Sequence, residues 1–185
     1  MTSVGSLLGL RRGRHERAGF ALYGAAVAAA RAPFLYQVLG APDTLDGRFD
    51  LVGLYVFLLI DRLRRPPEPG PALAQAVFDA MFSDMDLNLR EMGVGDLSVG
   101  KRVKAMWEAF HGRSASYTAA LEAGAADALS QALGRNVWRG APPPAGAAEA
   151  LTRLALTQRA HLAGQDLAAL EAGRATFLPA DEAVR

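Results

Sequence analysis

The 185-residue sequence contains no cysteine. That absence excludes disulfides, zinc sites with cysteine ligands, iron–sulfur clusters, c-type haem attachment and thiol catalysis. The three histidines, His15, His111 and His161, lie in separate segments and have no carboxylate at metal-ligand spacing. We therefore expect neither a metal site nor a bound cofactor.

The sequence also lacks a long apolar run and an excess of charge. Its longest unbroken apolar run, Leu51 to Ile60, has ten residues, whereas about 20 are needed to span a bilayer. The net charge is only +1, which provides no overall field that attracts nucleic acid. We expect no partner with a specific nucleic-acid sequence, and any electrostatic partner must be bound by a local patch.

Alanine and leucine, both good helix formers, supply much of the 51% hydrophobic content. The sequence predicts an all-α, single compact domain of about six to seven helices, with one buried central apolar helix, Phe49 to Leu63. We place this domain at residues 14–178, between a flexible basic N-terminus, 1–13, and a flexible tail, 179–185. The other predicted helices cover residues 14–31, 33–39, 72–92, a segment from 96 that bends or ends at Gly112, 117–137 and 147–170.

The N-terminal region allows two interpretations. Arg11 and Arg12 followed by Ala28, Ala29 and Ala30 resemble an export signal with its cleavage site. The helical spacing of apolar residues within 14–31 instead favours a first helix of the domain.

Gly95 to Lys101 matches the spacing of a phosphate-binding loop, with four residues between Gly95 and Gly100 before Lys101. A true loop of this kind follows a hydrophobic strand and has Ser or Thr after its lysine. Here a predicted helix precedes the motif and Arg102 follows it, which argues against nucleotide binding.

Lys101, Arg102 and Lys104 lie in the first turns of a predicted helix, where positive charge opposes the helix dipole. Two explanations remain open. The three residues either bind a partner or pair with Asp84, Asp86 or Glu91 across the glycine turn.

Several segments resemble one known family. They are Leu22 to Gly24, Gly40 to Asp50, Phe78 to Asp86, Arg90 to Asp96 and Gly100 to Lys104. In order and spacing these segments are similar to the ubiquinol-cytochrome c chaperone family, and the resemblance runs from Arg17 to Phe177. In this family the phosphate-loop lookalike is a glycine turn, and the arginine- and alanine-rich start is the first domain helix.

The resemblance implies a chaperone without enzymatic activity that binds newly made cytochrome b and promotes assembly of the ubiquinol-cytochrome c reductase. It implies no requirement for ATP. Cytochrome b is the expected client, and the ribosome, a membrane surface and a small partner chaperone are further expected partners. The composition favours a bacterial protein, cytoplasmic and peripheral to the inner membrane; a eukaryotic member would lie on the matrix side of the mitochondrial membrane.

We expect the client surface where charged residues and glycines cluster beside apolar faces, although helix caps and turns also explain several of these residues. Two rival classes are a peripheral membrane or lipid-binding helical module without a cytochrome b client, and an enzyme that uses carboxylates such as Asp79 and Asp86. The expected client-binding residues are Asp43, Asp46, Arg48, Phe49, Asp50, Asp84, Asp86, Arg90, Glu91, Gly93, Gly95, Asp96, Lys101, Arg102 and Lys104.

Overall fold

A computed structural model describes the backbone of residues 4–185 and the side chains of residues 13–96 and 98–185. This part of the chain contains helices and no strand, which confirms the all-α prediction. Nine helices are present in it, and six of them have 12 residues or more. The helices are α1 (Val4–Ala30), α2 (Pro33–Gln37), α3 (Leu45–Leu63), α4 (Gly70–Glu91), α5 (Asp96–Glu122), α6 (Ala126–Val137), α7 (Ala147–Ala163), α8 (Leu167–Glu171) and α9 (Ala180–Ala183).

The central helix of the fold is α3, as the sequence predicted. Every residue from Leu51 to Ile60 except Gly53 is buried, and helices α1, α4, α5, α6 and α7 all contact α3. A helix that is apolar on all sides is stable in water only when other helices surround it. The helix begins four residues before the predicted Phe49, because the Thr44 hydroxyl accepts a hydrogen bond of 3.1 Å from the Gly47 amide and caps the first turn.

Two glycines allow close backbone approach. A Cβ atom at Gly47 would lie 2.0 Å from the carbonyl oxygen of Pro42, so any larger residue would push the turn before α3 away. A Cβ atom at Gly19 would lie 2.6 Å from the backbone of Ala76, where α1 packs along α4. These contacts bring the start of α3 against the residues that precede it and hold α1 close to α4.

Two predicted helix boundaries were wrong. Helix α5 continues through Gly112 and ends at Glu122, since a single glycine inside a helix costs little when nothing crowds it. The chain turns instead at Gly124, which has a positive φ of 61°. The predicted helix over residues 147–170 is also divided, because the side chain of Asp166 accepts a hydrogen bond from the Ala168 amide and starts the separate helix α8.

At both ends of the chain, helix extends into segments that we predicted to be flexible. Helix α1 begins at Val4, upstream of the predicted start at residue 14. Near the C-terminus, residues 180–183 form α9, whose Ala180 and Ala183 are buried against the core. The mobility of both segments stays a prediction.

Residues 173–179, called the C-terminal strap below, begin in a turn at Gly173 and then run without helix against α7. The side-chain amide of Gln158 donates to the Leu178 carbonyl (2.7 Å) and accepts from the Leu178 amide (3.0 Å). Gln165 makes the same pair of bonds with Thr176 (2.7 and 3.0 Å). The strap thereby places the ring of Phe177 5.1 Å from the ring of Tyr55 in α3. Two glutamines thus satisfy backbone groups that a neighbouring strand would otherwise pair.

Crossing a bilayer requires a length and hydropathy that none of the helices in the described residues has.

Candidate functional site

The first predicted segment, residues 43–50, forms the approach to α3 and its first turns. Asp43, Asp46 and Arg48 are exposed there. The guanidinium of Arg48 donates a hydrogen bond of 2.6 Å to Asp43 and lowers the pKa of that carboxyl. These three residues therefore present both charge signs at the surface beside the N-terminus of α3.

Asp50 lies inside the protein, with only 2% of its surface exposed. Its carboxylate accepts two hydrogen bonds from Arg139, at 2.8 and 3.1 Å, and forms an ion pair with Arg113 of α5. Burial raises the pKa of Asp50, and the hydrogen bond from Arg139 and the charge of Arg113 oppose that increase. Arg139 also pairs with Asp46 at 3.3 Å. One buried carboxylate thus links α3, α5 and the loop that follows α6.

Phe49 is buried beside this cluster, and the guanidinium carbon of Arg113 lies 5.7 Å from the centre of its ring. Phe49 and Asp50 therefore lie beneath the surface that Asp43, Asp46 and Arg48 form, and they do not face solvent. Arg113 and Arg139 could not be predicted from the sequence, because long stretches of chain separate them from Asp50. The neighbouring Trp138 donates a hydrogen bond of 3.0 Å from its indole nitrogen to the Gly40 carbonyl, which holds the end of α6 against the connection between α2 and α3.

The second predicted segment, residues 84–104, contains the turn between α4 and α5. Arg90 joins the two helices, because it donates to Asp86 at 2.6 Å and to Asp96 at 2.5 Å. The hydrogen bond from Arg90 lowers the pKa of Asp86. Gly93, with a positive φ of 78°, permits the chain to reverse between α4 and α5. Gly95 follows as the residue immediately before α5.

Asp84 has a structural contact within this segment. The hydroxyl of Tyr23 in α1 donates a hydrogen bond of 2.7 Å to the Asp84 carboxylate. Burial and this bond both raise the pKa of Tyr23, so the tyrosine stays protonated. Asp84 therefore connects the second half of α4 to α1.

The basic residues do not pair across the glycine turn as one explanation proposed. Among the described side chains, Lys104 lies 3.9 Å from Glu108 on its own helix, and no carboxylate is within ion-pairing distance of Lys101 or Arg102. Residues 96–101 lie in the first two turns of α5. The motif resembling a phosphate-binding loop is therefore a helix start preceded by another helix.

Two surface segments are defined from here on. The α3 segment, residues 38–50, adds five residues to the predicted 43–50, and the α4–α5 segment, residues 84–107, adds three residues to the predicted 84–104, so that the exposed Val38 and Trp107 are included. No side-chain hydrogen bond or ion pair between the described side chains connects them directly. Both segments nevertheless expose large apolar side chains, which the sequence alone did not predict. Seven such residues are exposed among the described side chains. Leu45, Leu87 and Met92 lie within the predicted bounds, and Val38 and Trp107 lie in the added residues.

The carboxylates considered for catalysis lie in ordinary surface pairs. Asp79 accepts a hydrogen bond of 2.7 Å from Gln75, and Asp86 is bound by Arg90. In the part of the molecule whose side chains are described, no group of three histidine or acidic residues is arranged to hold a metal ion. The arrangement is that of a helical protein with mixed apolar and charged surfaces.

The chain is similar to one known protein family and to a solved structure. Residues 37–177, more than half of the chain, match the family model described as "Ubiquinol-cytochrome C chaperone". The crystal structure of the Cbp3 homolog from Brucella abortus is similar, with a TM-score of 0.82 and 34% sequence identity over 97% of this chain and 99% of that chain. No curated protein sequence gives a significant match. The chain belongs to the ubiquinol-cytochrome C chaperone family, whose members are chaperones and not enzymes.

Proposed function

We propose that this chaperone binds newly made cytochrome b and keeps it competent for assembly into the ubiquinol-cytochrome c reductase. Membership of the family gives the coarser role, a chaperone in the assembly of that reductase. The identity of the client is our inference. Cytochrome b is an apolar subunit of that complex, so a chaperone that acts before assembly has apolar client surface to shield.

The observation that carries the proposal is the exposure of large apolar side chains in the two segments. Trp107 and Met92 are 46% and 52% exposed, and Leu45 and Leu87 are slightly above half. Scattered apolar residues are common on protein surfaces, but their concentration beside charged groups is typical of interaction surfaces. Flexible methionine and a large aromatic ring suit contact with apolar helices of varied shape.

The charges beside these side chains suit a reversible contact. Lys101 and Arg102 have no carboxylate partner among the described side chains and can meet acidic loops of a client or of a partner. A surface that mixes apolar and charged groups binds less tightly than a fully apolar interface, because each charged group must lose water on binding. The client is then released when contacts with its proper subunits become available.

Eight of the fifteen expected client-binding residues are assigned one of two roles under this proposal. The exposed Asp43, Asp46, Arg48, Glu91 and Arg102 contact the client directly. Phe49, Asp50 and Asp84 act as positioning residues, because they fix α3 and α4 from inside. We place the protein at the cytoplasmic face of the bacterial inner membrane, with the ribosome or membrane surface and a small partner chaperone as further contacts.

The first experiment measures the membrane proteome and haem absorbance spectra of a strain without this chain. We expect cytochrome b and its reductase partners to decrease selectively while other respiratory complexes persist. The strain is then complemented with the wild-type chain or with a Leu87→Ser, Trp107→Ser double variant. A Leu156→Ser variant is the matched control, since Leu156 is exposed but lies outside both segments.

The double variant should fail to restore cytochrome b although the protein accumulates, whereas the control should restore it. Unchanged cytochrome b in the deletion strain would show that the family fold is kept without this role. In that case, flotation of the chain with client-free liposomes, dependent on Arg11 to Arg17, would favour a lipid-binding module. Photocrosslinks to cytochrome b from position 156 but not from position 107 would contradict the placement of the surface.

A further inference from the structure

The C-terminal strap is held on α7 in the way that a peptide is held in a binding groove. Within the described part of the chain, residues 175–178 make no hydrogen bond to another backbone group. Gln158 pairs instead with the amide and carbonyl of Leu178, and the side chain of Gln165 pairs with those of Thr176. The two bound residues are two apart, the spacing at which an extended chain presents its groups to one side. Such bonds recognise the main chain and select no particular sequence.

The ring of Phe177 anchors the strap between its two glutamine-bound residues. Phe177 is partly buried, and its ring centre lies 5.1 Å from that of Tyr55 in α3, in an edge-to-face arrangement. Among the described residues, the side chains of the strap make one hydrogen bond, between the Thr176 hydroxyl and His161 (3.1 Å). That bond and those of Gln165 are exposed, so water can replace them at little cost. The strap therefore depends on one aromatic contact and on main-chain bonds that another segment can also make.

A second, independent observation concerns the hydroxyl of Tyr55, the residue against which Phe177 packs. This hydroxyl is buried and has no hydrogen-bond partner among the described residues. Burial raises the pKa of Tyr55, and the side-chain amide of Gln158 opposes that increase, so the two groups are neighbours. With the strap in place, Gln158 is bound to Leu178 and the hydroxyl stays unpaired, which costs free energy. When the strap leaves, Gln158 and Tyr55 can bond to each other.

We propose that this groove on α7 binds an extended segment of another polypeptide and that the strap is its intramolecular competitor. The ligand is a stretch of unfolded chain with one large aromatic residue between two residues whose main-chain groups bind Gln158 and Gln165. It takes the place of the strap, and the bond that Tyr55 gains from Gln158 lowers the cost of opening. These groove residues lie outside the α3 and α4–α5 segments, so the assignment does not depend on the proposed function.

The test uses the full chain and a fluorescein-labelled peptide with the sequence of residues 173–185, whose binding is measured by fluorescence anisotropy. The strap competes from within the same chain at a local concentration of about millimolar, so the wild-type protein should bind the peptide weakly. Phe177→Ala in the protein weakens the strap and leaves both glutamines in place. This variant should bind the peptide more tightly by about tenfold or more, and circular dichroism should show it folded.

Changes in the peptide separate the two kinds of contact without altering the protein. Methylation of the amide nitrogens that match Thr176 and Leu178 removes both main-chain donors and should weaken binding by about tenfold or more. Phe177→Ser in the peptide removes the aromatic anchor and should weaken binding by a similar factor. A peptide with Arg174→Ala and Glu182→Ala is the matched control, because both side chains are exposed and make no hydrogen bond in the described structure. It should bind within about twofold of the original peptide.

The wild-type protein provides a second readout, hydrogen exchange measured by NMR on isotope-labelled protein. Excess peptide should speed exchange at the strap amides of Thr176 and Leu178 and leave amides in α4 unchanged. Tyr55→Phe removes the partner that Gln158 gains on opening. It should therefore slow exchange at the Leu178 amide and weaken peptide binding several-fold.

Three results would overturn the assignment. The first is the absence of saturable peptide binding by the Phe177→Ala protein. The second is equal affinity for the methylated peptide, since the glutamines would then not recognise the main chain of a ligand. The third is a dimer of the wild-type chain that the peptide dissociates in analytical ultracentrifugation, because the groove would then be occupied by the strap of a second copy of this chain.

Discussion

At the scale of single residues, the carboxylate of Asp50 is bound by two arginines that lie far from it in the sequence. Arg113 comes from α5 and Arg139 from the loop after α6. Removing one member of a buried ion pair leaves the other charges without compensation, which costs more than the pair itself contributes. Arg139 also holds its backbone at a positive φ of 50°, a conformation that favours glycine.

Substitution Asp50→Ala should therefore lower the free energy of unfolding by about 3–5 kcal/mol, as measured by urea denaturation. Asp43→Ala is the matched control, because it removes a carboxylate from an exposed pair with Arg48 on the same segment. The control should leave the urea midpoint almost unchanged. Equal effects of the two substitutions would show that the buried cluster does not hold these elements together.

A second prediction at this scale concerns the titration of Asp86. Arg90 holds the pKa of Asp86 below its ordinary value of 3.8, so Arg90→Ala should raise that pKa towards 3.8. The stabilising contribution of this pair is present at neutral pH and is lost as the pH falls through the lowered pKa. Carboxyl-detected NMR titration measures the shift, and Asp43, whose pKa is lowered by Arg48, is the internal control that the substitution should leave unchanged.

At the scale of secondary-structure elements, close helix contact depends on particular glycines. Gly19→Ala would place a Cβ atom 2.6 Å from the backbone of Ala76, and backbone cannot move aside as a flexible side chain can. We expect a loss of about 1–3 kcal/mol of unfolding free energy, measured by chemical denaturation.

Gly24→Ala on the same helix is the control, because nothing lies within 4 Å of a Cβ atom there. This substitution should stabilise the protein by about 0.5–1 kcal/mol, since alanine loses less backbone entropy than glycine in a helix. The two substitutions should change stability in opposite directions. Stabilisation by both would mean that helix propensity and not the contact with α4 decides the result.

The attachment of the C-terminal strap gives another prediction for an element. Gln158 is fully buried and bonds both backbone groups of Leu178, so Gln158→Leu leaves that amide and carbonyl without partners. We expect a loss of about 1–3 kcal/mol and faster hydrogen exchange at the Leu178 amide. Gln165→Leu is the control, because its bonds with Thr176 are exposed and water can replace them. Its effect should stay local to Thr176.

At the scale of the whole molecule, one core extends through most of the helices, from α1 to α9. The substitutions Gly19→Ala, Asp50→Ala and Gln158→Leu lie in different elements that share this core. We expect each variant to unfold in one calorimetric transition that is shifted to lower temperature. A second, separate transition in the Gln158→Leu variant would show that the strap and α9 unfold independently of the remaining helices.

The sequence was sufficient for the features that depend on local patterns. The all-α class follows from alanine and leucine at helical spacing, and the burial of α3 follows from a run without a polar face. The long family segments identified the chaperone family before any geometry was known. Helix ends were less predictable. Gly112 and Gly124 are both glycines with no atom within 4 Å of an added Cβ, yet α5 continues through Gly112 and only Gly124 adopts a positive φ.

Tertiary packing alone placed Arg113 and Arg139 on Asp50, and the two glutamines on the strap. Each of these contacts joins residues brought together by helix crossing, and their spacing along the chain carries no periodic signal. The exposure of Leu87, Met92 and Trp107 was likewise decided by which helix faces found a neighbour. Local periodicity specifies helices and their apolar sides, whereas the surfaces left open for a client or ligand depend on how all the helices pack.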